Sequence, residues 1–127
     1  MVVDRTTDGD RIAQLLASEL SGRDGGALAR LSVVDADRDA TPSPDGPPAY
    51  GVAVDDRQVA DVRIYPDGAD VCLDGGSARL AVQRVVDAVR GPGLSVETPD
   101  DGTVVLQVEY GAAVKRAVDA LVAGVER

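Results

Sequence analysis

This 127-residue chain predicts an α+β fold: a two-layer sandwich in which a mostly antiparallel sheet of five or six strands carries helices on one face. Three observations lead there. Several short runs alternate apolar and polar residues, the period of a half-buried strand. The connections between most of them are brief, and short connections favour antiparallel neighbours because parallel ones need a crossover. Two later segments instead space apolar residues at i, i+3, i+4, i+7 and i+8, which only a 3.6-residue period brings onto one face.

Those two segments carry nearly the same word. Ala81-Val82-Gln83-Arg84-Val85-Val86-Asp87-Ala88-Val89 recurs as Ala113-Val114-Lys115-Arg116-Ala117-Val118-Asp119-Ala120-Leu121, six of nine positions being identical. Each stripe has to be buried against something, and the neighbouring strands are the available partner.

In chain order, Thr7 with Asp10 three residues on approximates a capping box. Ile12, Leu15, Leu16 and Leu20 continue as a stripe, so a helix is expected over 7–21, with Gly22 as its stop. Leu28 to Asp35 reads as a strand with Leu31 and Val33 on one side. Residues 37–48 hold Pro42, Pro44, Pro47 and Pro48 around Asp45-Gly46, which excludes helix and central strand and reads as a mobile surface loop. Its Pro44-Asp45-Gly46-Pro47 formally matches a PxxP ligand, a match that chance explains.

A meander follows. Tyr50, Val52 and Val54 alternate, Asp55-Asp56-Arg57 turns the chain, and Ala60, Val62 and Ile64 alternate next. Pro66-Asp67-Gly68 makes a turn with a mechanism, since proline pre-sets φ and glycine supplies a positive one. After Val71 and Leu73, Gly75-Gly76 break the strand, Ser77 caps a helix to Arg90, and Gly91-Pro92-Gly93 ends it. Leu94–Thr98 and Thr103–Tyr110 pair across Pro99-Asp100-Asp101-Gly102, and Gly111 releases the last helix. The whole reads as a single domain, 1–127, with a ββα unit twice, over 58–90 and 94–125. The competing explanation of the repeat is convergence of two Val/Ala helices in a biased composition. The second face of the sheet is mixed: Val105 shares its side with Thr103, Gln107 and Glu109, and Tyr65 lies beside Asp61 and Arg63.

A family resemblance enters at the two ends. Thr7-Asp8-Gly9-Asp10-Arg11-Ile12-Ala13-Gln14-Leu15-Leu16-Ala17-Ser18-Glu19-Leu20 resembles the opening of a family of small uncharacterised haloarchaeal proteins, and Gly111-Ala112-Ala113-Val114-Lys115-Arg116-Ala117 resembles its closing segment. The resemblance implies a lineage and brings no activity with it. Composition points the same way. Of 22 acidic residues 18 are Asp, 12 of the 13 basic ones are Arg, the net charge is −9, and Val and Ala supply 39 positions with no Phe or Trp. Such a chain resembles the proteins of extreme halophiles: strongly hydrated carboxylates keep a surface wet in molar KCl, and small side chains limit apolar clumping. At several molar salt the Debye length is about 2–3 Å or less, so the acidity repels nothing at a distance.

The chemical inventory is thin. There is no histidine, which removes the commonest general base and the Ser-His and Cys-His pairs. The lone Cys72 can form neither an internal disulfide nor a thiolate zinc site, and it reads as a buried, inert thiol in a strand. No phosphate loop precedes Lys115, and Gly91-Pro92-Gly93 follows a helix rather than a strand. Asp35, Asp37 and Asp39 have the opening spacing of a calcium loop, but its sixth position is Ala40 and its twelfth Gly46. Asp55, Asp56, Asp61, Asp100 and Asp101 fall in turns or on solvent faces, and no catalytic set emerges. Arg79, Arg84, Arg90, Lys115 and Arg116 form a candidate basic strip on the paired helices, interrupted by Asp87 and Asp119.

The expectation is therefore a non-enzymatic, cofactor-free domain that acts by protein–protein association as a homodimer. Two alternatives stand beside it: a nucleic-acid-associated regulator using the Arg strip, and a weak Mg²⁺ site at Asp35, Asp37 and Asp39. No run approaches the 18 apolar residues of a membrane span, and Met1-Val2-Val3-Asp4-Arg5 has no signal-peptide core, so a cytoplasmic protein is expected.

Overall fold

The structure, a computed structural model, describes residues 9–21, 30–37, 39–74, 80–98 and 102–125. Helix α1 spans Gly9–Ser21, and strands β1 to β4 span Leu31–Val34, Pro48–Val54, Arg57–Tyr65 and Gly68–Asp74. Helix α2 (Val82–Ala88), β5 (Leu94–Glu97), β6 (Thr103–Val108) and α3 (Val114–Val125) follow, with a 3₁₀ turn at Gly111–Ala113 leading into α3. The six strands form one sheet in the order β1-β2-β3-β4-β6-β5, every neighbouring pair antiparallel. The α+β expectation holds.

Strand order adds something the pattern did not show. β4 and β5 both run antiparallel to β6, so they are parallel to each other, and β6 returns into the gap between them. A parallel pair needs a crossover, and α2 lies in it.

Alternation decides what is inside. Val52, Val62, Ile64, Val71, Leu73 and Leu106 are fully buried on one face of the sheet, along with Val54. Ile12, Leu16 and Leu20 of α1 and Ala117, Val118, Leu121 and Val125 of α3 complete that core. α1 packs against β1, β3, β4 and α3, while α3 also touches β6. Deep inside, the Tyr50 hydroxyl donates to the Ala13 carbonyl of α1 at 2.7 Å, and burial holds its pKa above the ordinary phenol value. That bond satisfies a polar group that would otherwise be costly to bury.

Local chemistry sets the corners. Asp55 and Asp56 take φ of 50° and 69°, the pair of positive values that a two-residue type I′ hairpin turn demands. Arg30 grips Asp55 with Nε at 3.1 Å from Oδ1 and Nη2 at 2.6 Å from Oδ2. The same guanidinium donates to the Val125 carbonyl at 3.4 Å, so one side chain ties the hairpin turn to the end of α3. The proline loop is fastened at its far end. Pro47 accepts from the Ile64 N–H at 3.1 Å, Gly46 accepts from Arg63 Nη1 at 3.3 Å, and Gly46 (φ 62°) leaves no room for a Cβ beneath the Tyr65 ring. Pro48, expected as loop, opens β2 instead, the first position of a strand being where proline is tolerated.

The matching helical words behave differently. Within the described residues, the helix expected over 77–90 spans Val82–Ala88, with Val89 already extended. The N–H of Ala81 is spent on the Gly124 carbonyl of α3, and Pro92 disfavours helix at Gly91, whose φ is 90°. α2 packs on α3, with Val85 as its one fully buried residue and Leu80 just before it, while Val82 and Val86 are half-buried. α3 buries its stripe apart from the half-buried Val122, because α1, α2 and β6 surround it. The expected caps at Thr7 and Ser77, the stop at Gly22 and the turn residues Pro99, Asp100 and Asp101 lie outside the described residues.

A Cβ built at Gly124 would stand 2.5 Å from Val85 Cγ2 and 2.9 Å from Leu80 Cδ1, so the α2–α3 contact depends on a missing side chain. Gly124→Val is expected to lower the unfolding free energy by roughly 1–3 kcal/mol through overpacking. Thermal unfolding beside Asp119→Ala, an exposed control expected within about 0.5 kcal/mol of wild type, measures it.

Candidate functional site

The same alternation that fills the core lays a second row of side chains on the opposite face of the sheet. From β3 come Asp61, Arg63 and Tyr65, from β4 Asp70, Cys72 and Asp74, from β6 Thr103, Val105 and Gln107, and from β5 Ser95 and Glu97. At β2 the face is closed over, Gly51 lying under the Gln58 side chain and Ala53 fully buried. Between β3 and β5 the side chains stand low. All but Asp74 and Glu97 are half-buried.

Register sets the contacts. Arg63 faces Asp70, Cys72 lies between Asp61 and Val105, and Gln107 lies between Asp70 and Ser95. Arg63 Nη2 approaches Asp61 Oδ2 at 3.6 Å while its Nη1 is bonded to Gly46, and the Ser95 hydroxyl donates to Gln107 Oε1 at 3.0 Å. Two shallow depressions flank this middle. One, about 460 Å³, is lined by Tyr65, Asp67, Asp70, Glu97, Gln107 and Glu109. The other, about 300 Å³, is lined by Gln58, Asp61, Cys72, Asp74 and Thr103.

Electrostatics single out Asp70. Burial, with Glu97 as a second cause, pushes its pKa up to about 6. Burial and the Asp70 charge also push the Cys72 thiol up, and burial and the same charge raise Tyr65. Cys72 thus stays protonated at neutral pH, an unreactive state. It is half-buried on the open face rather than buried in the core, because it alternates with Val71 and Leu73.

The residues singled out from sequence are dispersed. Asp35, Asp37 and Asp39 are all exposed, with Asp35 at φ 52° and Asp37 Oδ1 accepting the Asp39 N–H at 2.9 Å. Among the described residues no three His, Cys, Asp or Glu side chains converge as a metal set. Arg84 and Arg90 are exposed at α2, and Arg79 lies outside the described residues. Lys115 is exposed on the rim of a groove with Leu15, Ser18 and Glu19 of α1, whereas Arg116 turns toward Gly91 and donates to the Pro92 carbonyl. The helical word kept these cations adjacent, but the packing sends Lys115 toward α1 and Arg116 toward the turn before β5. Sequence reasoning passed over Asp70. Its signal was the run Ala69-Asp70-Val71-Cys72-Leu73, which puts a carboxylate on the face away from the core.

Among the described residues no helix is long and apolar enough to cross a membrane. A family model described as a family of unknown function (DUF7993) matches residues 1–127. No curated protein and no solved structure matches the chain.

A raised carboxylate pKa means that the folded state disfavours the ionised form. Between the unfolded value of 3.8 and about 6 the native state holds the extra proton, so stability falls as pH rises and the cost is full above about 6. Asp70→Asn is expected to raise Tm by roughly 2–5 °C at pH 8 and to match wild type at pH 4, the half-exposed site holding the gain to about 1 kcal/mol. Thermal scans across that range at constant KCl check the sign.

Proposed function

We propose that this chain, which belongs to that family of unknown function, is non-enzymatic and works by self-association, two copies meeting through the open faces of their sheets in a salt-rich cytoplasm. The observation that carries this reading is the low relief of the face. Asp61, Cys72, Val105 and Ser95 are half-buried and short, and Arg63 is held down by Asp61 and the Gly46 carbonyl, which lets a second sheet approach to about 10 Å. The four strands of the open face, about 4.8 Å apart and some 20 Å long, offer on the order of 400 Å² per copy, about 800 Å² for a pair, the size of a weak, transient contact. A contact of that size is decided by its charges.

Those charges are unequal. Asp61, Asp70, Asp74 and Glu97 share the face with Arg63, so two copies repel each other at low ionic strength. Molar salt screens that repulsion, which fits the halophilic composition. The other two readings have less support. A nucleic-acid strip loses continuity where Lys115 and Arg116 diverge, and a Mg²⁺ site at Asp35, Asp37 and Asp39 lacks a converging third carboxylate.

Light scattering between about 1 and 4 M KCl, with circular dichroism to confirm folding, tests the association. The mass is expected to rise from monomer toward dimer with salt, and Val105→Glu, which adds a further carboxylate to the middle of the face, is expected to hold the protein monomeric. A folded monomer at about 100 μM in 4 M KCl, at pH 5.5 as well as at pH 7.5, would overturn the reading.

A further inference from the structure

Salt screens repulsion between copies but does not remove the cost of taking an ionised carboxylate out of water. Asp70 meets that cost most directly. It lies midway across the open face, half-buried before any partner arrives, with its neighbours set by three elements. On β3 it faces Arg63, with Asp61 and Tyr65 on either side of that arginine. On β6 it faces the neutral Gln107, whose outer row carries no charge from Thr103 through Val105 to Gln107. Across that strand on β5 stands Glu97, and Asp67 and Glu109 share the depression. On its own strand the outward neighbours are Cys72 and Asp74.

Only Arg63 is a cation in this set, and it is shared with Asp61 and the Gly46 carbonyl. A partner copy related by a two-fold axis brings the same excess of acid. Covering the face therefore desolvates a carboxylate in the company of other carboxylates, with one arginine per copy already divided among several acceptors. The protonated acid behaves differently: it carries no charge and gains a hydrogen that the Gln107 side chain, directly opposite, has an acceptor to receive.

We infer that a proton switches this interface: ionised Asp70 holds two copies apart, and protonated Asp70 lets their sheets meet. The inference rests on the self-association proposed above and adds its regulation. Burial and Glu97 bring the titration of Asp70 near pH 6, within reach of modest acidification.

Sedimentation equilibrium of the full chain in 3 M KCl between pH 5 and pH 8 tests it, on wild type, Asp70→Asn and Glu97→Gln, with circular dichroism at each pH to confirm folding. Wild-type self-association is expected to weaken at least about tenfold from pH 5.5 to 7.5, since each linked proton contributes up to tenfold per pH unit above the titration point. Asp70→Asn is expected to associate at every pH as wild type does at pH 5, and Glu97→Gln to move the transition to lower pH. A dimer of equal affinity across the range, or an Asp70→Asn variant that keeps the full pH dependence, overturns the switch and leaves self-association standing. Folded monomers at every pH, for Asp70→Asn as for wild type, overturn self-association and the switch together.

Discussion

The burial of one face of a six-stranded sheet beneath α1 and α3 governs the rest of this molecule. Val and Ala make up 18 of the 29 buried apolar residues described, each contributing at or below the low end of the ~1.5–3 kcal/mol of a large buried side chain. Such a core gains enough only if its layers come close and few positions are wasted. Gly124 shows the consequence, bringing α3 near enough to α2 that Val85 and Leu80 occupy the space a side chain would need. The buried Tyr50 hydroxyl, bonded to α1, belongs to the same economy of close approach.

Close approach also explains why two nearly identical helical words end in unequal roles. A sheet with α1 across β1, β3 and β4 has space for one further helix on that face, and α3 takes it. α2 then packs on α3 from the side and needs only Leu80 and Val85 as anchors. Its companion surface is left half-buried, and within the described residues it spans only the seven positions Val82–Ala88. Arg116 reinforces the arrangement by holding the turn where α2 gives way to β5.

With the helices gathered on one side, the other side of the sheet is left to a mixed row in which four carboxylates outnumber the one arginine. That face is where the charge excess of the chain meets partial burial, and where a carboxylate departs from ordinary behaviour. Asp70 is unusual because of its company: a low-lying position, Glu97 across β6, and an arginine opposite that Asp61 and Gly46 already engage. Salt and protons are the two variables that change the cost of bringing carboxylates together on such a surface.

By itself the sequence determined which residues alternate, where the chain turns and which side of each strand is apolar, because these depend on neighbours within a few positions. The faces of β3, β4 and β6, the Asp55-Asp56 hairpin and the extent of α1 within the described residues were legible on that basis, as was the mixed character of the outer face. Only the tertiary structure decided the insertion of β6 between β4 and β5, the shortening of α2 and the separation of Lys115 from Arg116. It also set Asp70 and Glu97, 27 positions apart, on one acid-lined depression. Each of those outcomes depends on which strand or helix finally lies alongside. Local periodicity carries no record of that, since the same alternating pattern satisfies any antiparallel neighbour equally well.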